Sequence, residues 1–164
     1  SPKKNLIIIG TSHSSAASEQ QQAAYVERII QQYGSDYDIF FKPHPADSSS
    51  AGYPDRFEGL TLLPGQMPFE IFVWALLDKI DMIGGYPSTT FISVPLDKVG
   101  FLFAADADGL VRPLNILFRD AANVEWIQYM PPAPKNATRL GWRFFRAKKS
   151  PAEAGDQANN CLTK

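Results

Sequence analysis

Residues 5–10, NLIIIG, decide the fold. Four apolar side chains, Leu6 to Ile9, run without a polar interruption and stop at Gly10. A strand with one wet face alternates polar and apolar residues. An unbroken β-branched run is instead a strand buried on both faces, as in a parallel sheet covered by helices. The next thirty residues fit that reading. TSHSSAA is a polar loop, and Ser18 with Gln21 has capping-box spacing. Tyr25, Val26, Ile29, Ile30 and Tyr33 then recur at helical period up to Gly34. A second strand is expected at 37–42, YDIFFK.

The alternation continues along the chain. SSSAGYPDRFEG (48–59) reads as loop and GLTLLP (59–64) as a strand stopped by proline. Pro68 opens a helix, PFEIFVWALLD. KIDMIGG is a short strand ending in two glycines, and STTFISV is a helical turn or short helix closed before Pro95. VGFLFAA (99–105) is a strand, PLNILFRDAA (113–122) a helix and VEWIQYM (124–130) the last strand. The fold class is therefore α/β: a Rossmann-like, doubly wound parallel sheet with helices on both faces. One such domain over 1–130 is followed by a C-terminal extension, 131–164, that is proline-rich, then basic and aromatic (RLGWRFFRAKK), then polar. Weak order is expected at its end.

Composition narrows the function. The chain has 164 residues, three tryptophans and eleven phenylalanines, enough for a full core. Formal net charge is −1, and no basic stripe or basic helix offers a nucleic-acid surface. Cys161 is the single cysteine, which excludes an internal disulfide and a cysteine-based zinc site and fits a reducing compartment. The longest apolar run, FEIFVWALL, contains Glu70 and is too short to cross a bilayer. No secretory signal pattern is present, so the Asn136 sequon carries no weight. A cytoplasmic location is expected, with the inner face of the membrane as an option. Ser1 in place of a starting methionine fits an excised or processed domain.

Ligands of doubly wound sheets bind outside the carboxyl ends of the strands. Three strand ends carry unusual chemistry. The first is KPHP, 42–45. Each proline pushes the residue before it into an extended conformation, fixing Lys42 and His44. An ammonium and an imidazole can both donate to phosphate oxygens. A plain proline turn with a solvated histidine is equally compatible. The second is GQMPFE, with Glu70 in the first turn of a helix. The helix dipole alone favours an acid there; a carboxylate accepting two ribose hydroxyls is the functional alternative. The third is GGYPSTTF, with hydroxyls at a helix start where N–H groups can hold an anion. Ser88 or Thr89 could also be a simple cap. In order, the three offer positive charge, a ribose-binding carboxylate and a phosphate cradle, which together describe a nucleotide.

The set KPHP, PFE and GGYPST resembles the C-terminal, donor-binding half of bacterial sialyltransferases of the two-domain GT-B fold. Those enzymes carry a His-Pro motif, a downstream glutamate and a serine pair. The spacing agrees, and so do the Gly10-Thr11 strand end and the Gln-rich helix EQQQAAYVERIIQQY. The resemblance runs from about Asn5 to Asp106 and more weakly to Met130. It implies that His44, Ser88 and Thr89 meet the phosphate of CMP-sialic acid, with His44 assisting departure of CMP. Glu70 would bind the ribose, and Lys42 would lie beside the cytidine. Pro45, Gly10 and Thr11 would complete the donor site, and His13 and Ser14 would face the cleft, against the acceptor or the sugar, a solvated polar loop being the alternative. It further implies no metal or other cofactor; Asp106 and Asp108 flank an alanine in an exposed-looking loop. Partners would be a nucleotide sugar and a glycan acceptor. The base that deprotonates the acceptor would belong to an N-terminal domain or a partner chain outside this sequence, leaving the isolated chain inactive. Thr89 replaces the second serine, and Pro43 stands where glycine is common.

Two other readings stay open. CDP-glycerol glycerophosphotransferases and capsule polysialyltransferases also combine a KPHP-like motif with a serine pair. A non-catalytic nucleotide-binding or interaction module is a different class, for which RLGWRFFRAKK could serve as a docking surface. A phosphotransfer receiver is disfavoured, because the strand ends carry Gly10, Lys42 and Gly84 rather than an acidic cluster.

Overall fold

The computed structural model describes residues 2–129. Met130, the extension 131–164, Cys161, Asn136 and the RLGWRFFRAKK segment lie outside them.

The six expected strands form one sheet, all parallel, in the order β3-β2-β1-β4-β5-β6. β1 is Lys4–Ile9, β2 Tyr37–Lys42, β3 Leu60–Leu62, β4 Met82–Gly85, β5 Val99–Leu102 and β6 Glu125–Trp126. The chain winds outward through β2 and β3, then returns past β1 to β4 and onward. This is the Rossmann-like order, with its reversal between β1 and β4.

The unbroken LIII run does what its composition requires. Leu6 and Ile8 pack on one face with Val26 and Ile29 of α1 (Ala16–Tyr33) and Tyr53 of α2 (Tyr53–Arg56). Ile7 and Ile9 pack on the other with Phe69 and Val73 of α3 (Phe69–Leu76) and Leu114 and Phe118 of α4 (Leu114–Phe118). Leu6, Ile8, Val26, Ile29, Phe41 and Phe101 are 0% exposed, so each contributes the full transfer free energy of its side chain, about 1.5–3 kcal/mol.

Several boundaries differ from the sequence reading. α1 begins earlier: Ser15 is its N-cap, and Ser18 completes the capping box instead of opening it. Pro68 precedes α3 as its N-cap, with Phe69 the first helical residue. The stretch 48–59 is not plain loop; it holds a 3₁₀ turn, Ser49–Gly52, and α2. The helix expected at 113–122 is five residues long, and the outer strands are shorter than expected.

β5 carries a bulge. Ile83 pairs with Val99 but Gly84 pairs with Phe101, leaving Gly100 as the extra residue. The bulge shifts the alternation, so Val99 faces one core and Phe101 the other. Phe101 lies over Gly84, where any Cβ would come within 2.5 Å of its ring.

Candidate functional site

Register puts the motifs on one edge. Ile9 pairs with Lys42 on one side and with Gly85 on the other. The loops leaving β2, β1 and β4 therefore start from one row, carrying His44, His13 and Ser88 respectively. Glu70 enters from the same edge, in the first turn of the helix after β3.

His44 is exposed and oriented. Its Nδ1 accepts from the Ala46 amide at 3.1 Å. The neutral ring therefore carries its proton on Nε2, directed away from its own loop, where it can donate to an anion. Pro43 is buried, while Pro45 is exposed beside the histidine. Pro43, His44, Pro45, Gly65 and Gln66 line a cleft of about 350 Å³ between the loops after β2 and β3.

Lys42 departs from its expected pose. Its side chain is buried, 4% exposed, and its Nζ donates to the carbonyls of Pro43 at 3.0 Å and Gly65 at 2.8 Å. Burial holds the ammonium below its ordinary value, against an opposing attraction from Glu70. The lysine ties the two walls of the cleft instead of reaching into it. Gln66 adds a second tie, donating to the Pro45 carbonyl at 3.0 Å. Glu70 is exposed, and among the described residues its carboxylate accepts no hydrogen bond.

The third motif is partly structural. Gly85 has φ +129°, and a Cβ there would run into the Ile9 carbonyl, so only glycine fits. Gly84 makes room for Phe101, and Gly10 similarly faces Phe41 at 2.6 Å from a hypothetical Cβ. The helix expected after GGYP is a five-residue 3₁₀ turn, Thr89–Ser93, too short for a dipole argument. Ser88 occupies its cap position, yet its hydroxyl makes no capping hydrogen bond. Ser88 Oγ is buried without any partner among the described residues, whereas Thr89 is exposed. A buried hydroxyl with no partner is uncommon and calls for an explanation.

Two residues absent from the sequence reading organise the edge. Gln22 of α1 is 0% exposed. Its Oε1 accepts from the Thr11 amide at 2.9 Å, and its Nε2 donates to Asp47 Oδ2 at 3.1 Å and Tyr53 Oη at 3.2 Å. Asp47 accepts from the Ser49 amide at 2.9 Å and the Ser49 hydroxyl at 2.7 Å. Burial pushes its carboxyl up, but hydrogen bonds from Ser49, Gln22 and Ser50 outweigh this and hold it below the ordinary range. The signals were faint but present. Gln22 lies on the same helical stripe as Val26 and Ile29, and Asp47 precedes SSS as a capping aspartate would.

His13 lies in the loop after β1, with 9% of its side chain exposed. Among the described residues Asp106 accepts only from the Gly109 amide of its own loop, at 3.1 Å. Among the described residues no group of three or more His, Cys, Asp or Glu could hold a metal ion. No described helix is long and apolar enough to cross a membrane.

No protein-family model matches the sequence, and no curated protein is significantly similar to it. Solved structures are. The GT-B domain of a sialyltransferase from Photobacterium damselae superposes with a TM-score of 0.60 at 22% identity, covering 79% of this chain and 39% of that one. A further sialyltransferase structure, from Photobacterium damsela, gives 0.55 at 20% identity over 79% of this chain and 31% of its own. An α/β-galactoside α-2,3-sialyltransferase from the luminous marine bacterium Photobacterium phosphoreum gives 0.55 at 26%, over 77% and 36%. At these identities the likeness is one of fold. The chain has the Rossmann-like architecture found within GT-B sialyltransferases and spans well under half of each.

Proposed function

We propose that this chain is the donor-binding domain of a GT-B glycosyltransferase of the sialyltransferase kind, taking CMP-sialic acid for transfer to a glycan acceptor. One observation carries the reading. On either side of the central strand, the edge presents a histidine whose Nε2–H can donate and a buried serine hydroxyl with no partner among the described residues. Both groups suit a phosphate oxygen. The fold shared with sialyltransferases supports the same assignment.

In this reading His44 and Ser88, with Thr89 beside them, receive the phosphate. As the bond to the sugar breaks, negative charge grows on the departing CMP, and His44 donates to it. Charge is met by these donors, and no metal is assigned. Glu70 accepts the ribose hydroxyls. The base lies in the cleft whose walls Lys42 joins, against Pro45. The group that deprotonates the acceptor belongs to a part of the enzyme outside this sequence, so the chain alone binds donor without transferring sugar. Calorimetric titration with CMP, UMP and CDP-glycerol tests this. Selective CMP binding, weakened at least about tenfold in His44→Ala by loss of a charge-assisted bond, is the expected result. Preference for CDP-glycerol would reassign the donor, and unchanged affinity in His44→Ala would remove the phosphate assignment.

A further inference from the structure

Two polar side chains at this edge have buried atoms with no hydrogen-bond partner among the described residues: Ser88, and His13 at both ring nitrogens. Ser88 is absorbed by the proposed phosphate site. His13 is not, and its surroundings are specific. Its Nε2 lies 3.7 Å from Asp47 Oδ2, too far for a hydrogen bond but within ion-pair range. The Asp47 side chain is 1% exposed, and among the described residues no other basic side chain lies within 4.0 Å of its carboxylate. A buried carboxylate and a buried imidazole thus face each other, with the ring's second nitrogen, Nδ1, committed to nothing.

The sheet order says what Nδ1 can meet. Neighbouring strands stand about 4.8 Å apart, so β2 and β4 are separated by about 10 Å with β1 between them. A single anion touched by His44 after β2 and Ser88 after β4 must therefore lie over the end of β1. That is where residues 10–13 leave the sheet, Ile9 being paired with both Lys42 and Gly85. Two backbone amides there are already engaged, Gly10 with the Lys42 carbonyl and Thr11 with Gln22. His13 is the side chain of that loop with ring nitrogens able to donate to an anion.

We propose that His13 is a third anion-binding group of the donor site, donating from Nδ1 with Asp47 as its counter-charge. Asp47 is its positioning residue, itself fixed by Gln22 and Ser49. This rests on the donor-site reading and narrows one assignment within it: of the two groups the loop after β1 could face, His13 meets the donor, at an anionic oxygen. The oxygen belongs either to the phosphate or to the carboxylate of the sugar. Both ring nitrogens lie under protein atoms, so contact includes a rotamer change of the imidazole. The same turn relieves the missing hydrogen bonds.

The test monitors the ring ¹⁵N signals of His13 in the full chain during titration with CMP, cytidine, inorganic phosphate and free sialic acid. The expected result is a shift with CMP and with phosphate or sialic acid, and none with cytidine. Which small anion acts identifies the source of the oxygen. His13→Gln should weaken CMP about tenfold, the worth of one charge-assisted hydrogen bond, while leaving cytidine affinity unchanged. Asp47→Asn should reduce the His13 shift and weaken CMP in the same direction, a coupling that a purely structural Asp47 would not show. Tight CMP binding with a silent His13 ring and a neutral His13→Gln overturns this inference and leaves the donor reading intact. A His13 response to phosphate or sialic acid with CMP bound no more tightly than either keeps the anion site and removes the nucleotide. Silence with every probe removes both.

Discussion

Gln22→Leu measures how far one buried amide holds the functional edge together. The glutamine is fully buried and makes three hydrogen bonds, to the Thr11 amide, Tyr53 Oη and Asp47 Oδ2. Leucine fills similar space but makes none. The two neutral bonds are worth about 1 kcal/mol each and the one to the carboxylate about 2, a gross loss of about 4 kcal/mol. Better burial of an apolar side chain returns about 1 kcal/mol. The net loss is about 3 kcal/mol, a large share of the 5–15 kcal/mol or so that stabilises a domain. Urea unfolding of the full chain, monitored by tryptophan fluorescence and far-UV dichroism, reads it. With a slope of about 2 kcal/mol per molar, the midpoint should fall by about 1.5 M. Gln20→Leu, on the exposed face of the same helix, should change stability by less than about 0.5 kcal/mol. If Gln22→Leu lies within about 1 kcal/mol of the parent, the amide is not a structural hub and the link between the β1 and β2 loops is misassigned.

Gly85→Ala should cost at least about 3 kcal/mol, since alanine is strained at φ +129° and its methyl meets the Ile9 carbonyl; a soluble variant with an unchanged urea midpoint would contradict this. Asp47 has a depressed folded-state value, so its contribution is present above its ordinary value of 3.8 and is lost as pH falls through the lower folded value. Asp47→Asn should therefore narrow the gap between stability at neutral pH and in acid, and an acid limb identical to the parent's would argue against it. Lys42→Met replaces a buried ammonium that ties two carbonyls. Stability should change little, because an apolar side chain avoids the desolvation cost, whereas CMP affinity should fall as the cleft loosens; a large stability loss with normal affinity would make Lys42 purely structural.

The sheet was legible because its signal is redundant. Each face of β1 had to be covered, and NLIIIG says so without help from its neighbours. The order of the motifs along the chain also translated directly into position, because every parallel strand delivers its loop to the same edge. What the sequence hid depends on tertiary contact. Lys42 looked poised because prolines fix its backbone, but the Gly65 carbonyl that captures its ammonium comes from a different loop. The two glycines at 84–85 looked like a phosphate cradle, yet Phe101 and Ile9 require them for packing. Gln22 is one of several glutamines in a polar-looking helix, and only burial distinguishes it. Asp47 disappeared into a serine-rich stretch that reads as loop. The stretch after Ser88 is a helical turn closed before Pro95, as its sequence suggests, but its 3₁₀ geometry over Thr89–Ser93 and the uncapped Ser88 hydroxyl follow from packing and not from the hydroxyl pattern.

The most direct measurement is calorimetric titration of the chain with CMP, run beside UMP and CDP-glycerol. Selective CMP binding that is lost in His44→Ala is the predicted result. Equal or absent binding of all three nucleotides, by a chain shown to be folded, would contradict the assignment of this edge as a CMP-donor site.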